Sequence, residues 1–119
     1  MAASGLVVTR VKDVTVVAFG NSAVLDSLTV DAVAKELYAL VEEQNKKKIL
    51  LDFTTVEFLS SQMLGVLLNL HKKAVANGTE LVLCGLRKSL MKVFRVMSLH
   101  KLLVFAPDGE EALRKLSKI

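Results

Sequence analysis

Short runs of branched aliphatic residues alternate along the chain with longer stretches in which apolar residues recur every three or four positions. Leu6–Val11 and Val14–Phe19 are β-branched-rich and separated only by Lys12-Asp13, which predicts an N-terminal hairpin whose turn lacks the usual glycine. Residues 20–28 are polar and irregular, include Asn21, Ser22 and Asp26, and read as a loop of functional length. A helix follows, capped by Thr29 and running to about Glu43. Its Val30, Val33, Leu37 and Leu40/Val41 fall on one face, with Asp31 in the first turn.

Asn45-Lys46-Lys47-Lys48 ends that helix. Ile49-Leu50-Leu51-Asp52-Phe53 is too short for another and apolar almost throughout, as expected of a central strand covered by helices. The next helix spans about 61–76, with Leu64, Leu67, Leu68 and Val75 facing inward and Asn77-Gly78 as a left-handed C-cap. Residues 80–84 form a second buried strand, and 89–97 a short helix packed through Leu90, Val93, Phe94 and Met97. Residues 102–105 are a brief strand. Pro107-Asp108 opens the last helix, where Asp108 and Glu111 have capping-box spacing and Ala112, Leu113 and Leu116 make the apolar stripe. The order β-β-α-β-α-β-α-β-α predicts an α/β fold. Its single mixed, mostly parallel sheet has about five strands, an antiparallel hairpin at one edge and about four helices on one or both faces. No linker or repeat interrupts the pattern, so residues 1–119 read as one domain.

Composition narrows the function more than the fold. An apolar fraction of 52% excludes a disordered chain, and 119 residues suffice for a core without metal or disulfide staples. No apolar run approaches the roughly 18 residues of a membrane span. The first six residues carry no basic group and no cleavage-site pattern, so no signal peptide is expected. The lone Cys84 sits in an apolar run and reads as a buried, inert thiol. Together these features predict a cytoplasmic protein without membrane insertion.

The net charge of +4 would suit an acidic partner or nucleic acid. Tryptophan is absent and aromatic residues are few, so direct nucleic-acid binding is not expected. His71 and His100 are flanked by lysines and lack neighbours at metal-ligand spacing. There is no glycine-rich phosphate loop and no G-x-S-x-G elbow. The expectation is a non-enzyme with no cofactor and no metal. Most lysines mark solvated helix ends, although the set from Arg87 to Lys101 could form one basic face beside the central helix.

Ser60 and Ser61 stand at the mouth of that central helix. Either could simply cap it, a contribution of about 1 kcal/mol. Gly65, one turn in, costs about 1 kcal/mol relative to Ala inside a helix and is better explained if something approaches the backbone there. A phosphate on Ser61 would add nearly two negative charges at the favourable end of the helix dipole. That charge is tolerated internally while it repels an acidic partner.

At these residues the chain resembles the STAS domain of anti-sigma factor antagonists. The family pattern is an aliphatic strand, an acid, then F-[LM]-D-S-[SG]-G-L-G-x-[LI]-[LI] opening a helix. This sequence offers Leu50-Leu51-Asp52-Phe53, then Phe58-Leu59-Ser60-Ser61-Gln62-Met63-Leu64-Gly65-Val66-Leu67-Leu68. Ser60 stands where the family has Asp, and Met63 where it has Gly. Leu25-Asp26-Ser27-Leu28-Thr29 resembles the family's E-L-D-x-x-T loop, with Val24 in place of the glutamate. The resemblance implies an anti-sigma factor antagonist that binds an anti-sigma factor and so releases a sigma factor. That partner would be a serine/threonine kinase of the histidine-kinase-like ATPase type, and phosphorylation of Ser61 would switch the binding off. It implies a partner surface of Asn21, Ser22, Asp26, Ser60, Ser61, Gln62, Met63 and Gly65, with the helix near Ser89 as an extension. The alternatives are a non-phosphorylated STAS interaction subunit of a sensor or lipid-transport complex, or a nucleotide-binding or weakly enzymatic domain using Asp26 and the first loop.

Overall fold

The computed structural model describes residues 5–19 and 27–116. The hairpin is formed by β1 (Leu6–Val11) and β2 (Val14–Phe19), paired antiparallel with Val11 opposite Val14. Lys12 supplies the left-handed conformation that glycine would usually provide, at φ 56°. Asp13, the second turn residue, is held 3.0 Å from the Lys48 ammonium. That contact and its hydrogen bond lower the carboxyl pKa from its ordinary value.

Helix α1 runs Ser27–Glu42, so it begins two residues before the expected cap at Thr29, and Asp31 lies beyond its first turn. The chain then forms β3 (Lys48–Asp52), α2 (Ser61–Ala76), β4 (Glu80–Cys84), α3 (Lys88–Val96), a 3-10 turn at Leu99–Lys101, β5 (Val104–Ala106) and α4 (Gly109–Leu116). Strand order across the sheet is β1-β2-β3-β4-β5, and every pair after the hairpin is parallel. Successive parallel strands laid side by side with right-handed crossovers must place their helices on one face. The packing shows this arrangement. Val33 and Leu37 of α1, Met63 and Leu67 of α2, and Leu90 and Phe94 of α3 join one core with Ile49, Leu51 and Leu83. Helix α4 lies on the opposite face, where Ala112 and Leu116 meet Leu50, Val82 and Cys84. The strands thus alternate between two buried faces, which explains why residues 49–51 of β3 and 81–84 of β4 are apolar without a break.

Three expectations about packing need correction. Val75 is 67% exposed, because α2 presents Met63, Val66, Leu70 and Ala74 to the core in addition to Leu64 and Leu67. In α3 only Leu90 and Phe94 are buried, while Val93 and Met97 face outward. The last strand starts two residues later than expected because Leu99–Lys101 coils before it.

The left-handed end of α2 is present: Gly78 takes φ 68°, with Thr79 N–H donating to the Ala74 carbonyl (2.8 Å) and Gly78 N–H to Val75 (3.3 Å). At α4 the Glu111 N–H donates to Asp108 Oδ1 (2.9 Å), while the Glu111 carboxylate pairs with Arg114 instead of completing a capping box.

The edge where β3 and β4 end is closely packed. Gly85 takes φ +74°, and a Cβ there would lie 2.5 Å from Thr54 Oγ1 and 3.1 Å from both Asp52 Oδ1 and the Thr54 nitrogen. Gly85→Ala is expected to cost about 2–4 kcal/mol in denaturant unfolding, combining left-handed strain with the clash. Cys84 is wholly buried, and burial, with Asp52 and Asp108 as lesser causes, pushes its thiol up to about 12 from 9.0. The unfolded thiol ionises first, so this contribution is complete below about pH 9 and declines between about 9 and 12. Thiol titration should find native Cys84 inert at pH 8 and reactive after unfolding, and Cys84→Ala should flatten the alkaline decline.

Candidate functional site

The site is built by the turn that carries the chain from β3 to α2. Asp52, the last residue of β3, accepts from the Thr54 N–H at 2.9 Å and from Thr54 Oγ1 at 2.5 Å, folding the backbone back on itself. Phe53 N–H donates to the Cys84 carbonyl and Val56 N–H to the Phe53 carbonyl, both at 2.9 Å. Thr55 Oγ1 donates to the Phe19 carbonyl at the end of β2, 2.7 Å away. Phe53 and Val56 are wholly buried, and the Phe53 ring packs 4.9 Å from that of Phe19. These anchors fix the turn to the strands on both sides.

Ser60 and Ser61 then divide the roles that the sequence left between them. Ser60 is the N-cap, with extended backbone and its Oγ accepting from Met63 N–H at 3.1 Å. Its carbonyl also accepts the first helical bond, from Leu64 N–H (3.1 Å). A carboxylate would cap equally well, so serine at this position preserves the structural part of the family's aspartate. Ser61 is the first helical residue and is exposed, and its hydroxyl has no hydrogen-bond partner among the described residues. It sits at the positive end of a 16-residue helix, where a dianion is stabilised.

The surrounding surface differs in part from the predicted one. Gln62 is exposed and its Nε2 donates to Asp31 Oδ1 at 3.2 Å, tying α2 to α1. Gly65 is exposed, and a Cβ built on it meets nothing within 4 Å, so no contact within the described residues requires a glycine. Met63 is the correction: it is wholly buried among the helices and belongs to the core, not to a partner surface. The residue takes the inward step of the helix that the apolar period assigns to its neighbours Val66, Leu67 and Leu70. Asn21, Ser22 and Asp26 lie outside the described residues.

Two surface features were not singled out from sequence. Phe58, in the loop just before the cap, is 58% exposed, and Asp31 reaches the helix mouth only through the α1–α2 contact. An aromatic in a polar loop was the available signal for Phe58, whereas Asp31 needed the tertiary packing. His71 lies on α2 and His100 in the turn after α3; among the described residues no three metal-ligating side chains gather. No helix among them is long and apolar enough to cross a membrane.

The site is thus a serine-capped helix mouth at the edge of a mixed five-stranded sheet. The STAS domain family matches residues 6–112, and the chain belongs to that family. Its fold is that of anti-sigma factor antagonists. An anti-sigma-factor antagonist (STAS) domain protein of Planctomyces limnophilus superposes with a TM-score of 0.82 at 21% identity, covering 95% of this chain and 98% of that one. An anti-sigma factor antagonist of Mycobacterium paratuberculosis gives 0.83 at 21% identity, over 95% and 93%. The Bacillus cell fate determinant SpoIIAA in its phosphorylated form gives 0.71 at 18%, over 92% and 97%.

The separation of roles predicts distinct stability effects. Ser60→Ala should lower unfolding free energy by about 1 kcal/mol and Ser60→Asp should leave it intact. Ser61→Ala should stay within about 0.5 kcal/mol of the parent. Gly65→Ala should raise it by about 1 kcal/mol, since the added methyl enters open space within a helix. Urea titrations of the four variants check all of these together.

Proposed function

We propose that the chain is an anti-sigma factor antagonist whose binding surface is the mouth of α2, switched off by phosphorylation of Ser61. The observation that carries the reading is the division between the two serines. Ser60 satisfies the helix, which leaves Ser61 as an exposed hydroxyl with no structural duty among the described residues. The presence of a phosphorylated form of SpoIIAA among proteins of this fold supports the same reading. The partner is an anti-sigma factor, a serine/threonine kinase of the histidine-kinase-like ATPase type. Ser61, Gln62 and Gly65 form its contact surface with Phe58, and Asn21, Ser22 and Asp26 contribute further contacts.

The mechanism is electrostatic and steric. Phosphorylation adds up to two negative charges and three acceptor oxygens at an exposed first-turn position. The helix dipole offsets that charge by about 0.3–1 kcal/mol, so the domain stays folded while a surface complementary to a neutral hydroxyl becomes dianionic. Gly65, one turn further along the helix, leaves the backbone bare where the partner closes on it. A methyl there would therefore harm binding although it helps folding.

The test is reconstitution with kinases of this type from the host genome, with labelled ATP. Incorporation should be abolished by Ser61→Ala and retained by Ser60→Ala, and Ser61→Glu should weaken kinase binding at least about tenfold. Gly65→Ala should bind more weakly while melting higher. Undiminished labelling of Ser61→Ala would sink the switch assignment. Co-purification with an ATPase–permease complex in place of a kinase would turn the reading toward an unphosphorylated interaction subunit.

A further inference from the structure

The chain's positive charge is concentrated in one unit. Residues 81–107 hold Arg87, Lys88, Lys92, Arg95 and Lys101 and no Asp or Glu. These five exceed the net charge of +4, so the other 92 residues, with 11 Lys and Arg against 12 acids, are net −1. Helix α3 buries Leu90 and Phe94 in the core. Lys88, Lys92 and Arg95, spaced i, i+4 and i+7, therefore form one stripe along its outer side. All five cationic side chains are exposed, and none has an ion-pair partner among the described residues. Aliphatic surface accompanies the charge. Val96 is 77% and Met97 53% exposed, and Leu86 and Met91 join Lys88, Lys92 and Arg95 around a shallow hollow on this face.

We propose that α3 and the turn after it dock on an anionic phospholipid surface, the cationic stripe meeting the headgroup phosphates. A planar anionic surface suits an outward helical stripe, and an adsorbed polybasic segment gains about 1 kcal/mol per cation near such a surface. The separation of a basic unit from a net acidic remainder orients the molecule as it approaches. Leu86, Met91, Val96 and Met97 match the apolar edge beneath the headgroups, which a purely ionic partner would leave unused. Single-stranded nucleic acid fits less well, because Phe94 is buried and no aromatic on this helix is available for stacking. The docking is peripheral and independent of the switch at Ser61.

The test is co-sedimentation of the full chain with large vesicles of phosphatidylcholine alone or with about one-third phosphatidylglycerol, at about 50 mM salt. Binding should require phosphatidylglycerol and weaken steeply by about 300 mM salt. Lys88→Gln/Lys92→Gln/Arg95→Gln should lower partitioning about tenfold or more with an unchanged melting curve. If the triple variant does not fold, Lys92→Glu alone should still lower it several-fold. Equal binding to neutral vesicles, or undiminished binding of the folded variants, would overturn the proposal. Capture by soluble polyglutamate without vesicle binding would also overturn it and assign the face to an acidic protein.

Discussion

The Asp52 carboxylate organises the functional edge of this molecule. By accepting from both the backbone and the hydroxyl of Thr54, it converts the end of a buried strand into a tight reversal. The neighbouring strand end must then carry no side chain, since a Cβ at position 85 would strike the same Thr54. Thr55 and Phe53 extend the anchoring to β2 and β4. The reversal is therefore held from both sides, and the residues leading to α2 leave it in a defined direction. Rigid support of this kind lets a loop surface present one residue reproducibly to a partner.

From that anchor the two serines acquire different meanings. A capped helix needs one acceptor at its mouth, and Ser60 provides it. The next hydroxyl sits in the strongest part of the helix field but outside the helix's own bonding. The geometry is permissive for a dianion and demands nothing of the neutral side chain. The capping duty ends at Ser60, which is why a serine can stand where the family has aspartate without disturbing the scaffold. The same edge carries exposed Gly65, bare of side chain, and exposed Phe58, an aromatic of the kind that anchors interfaces.

Most of the fold was legible because its signals are local. Both hairpin strands and the Gly78 cap follow from β-branched runs and turn chemistry that need no tertiary information. The parallel sheet follows from the order of elements. Facing within short helices was less legible. In α3 the pattern of Leu90, Val93, Phe94 and Met97 suits a broad apolar stripe, yet only two of the four reach the core from a nine-residue helix. The motif puts Met63 on the partner surface, whereas the helical period it shares with Val66, Leu67 and Leu70 puts it in the core. By residue chemistry alone either serine could cap the helix, and only the motif's alignment set Ser61 apart. A single hydrogen bond, dependent on where the helix begins, distinguishes them.

The proposed switch rests on a regulatory Ser61 beside a structural Ser60. It is tested most directly by mapping phosphate on the protein isolated from its own cells, using fragmentation that resolves the two adjacent serines. Phosphate is expected on Ser61 in a fraction that changes with the physiological state of the cell, and none on Ser60. Phosphate on Ser60, or a Ser61 unmodified under every condition, would contradict it.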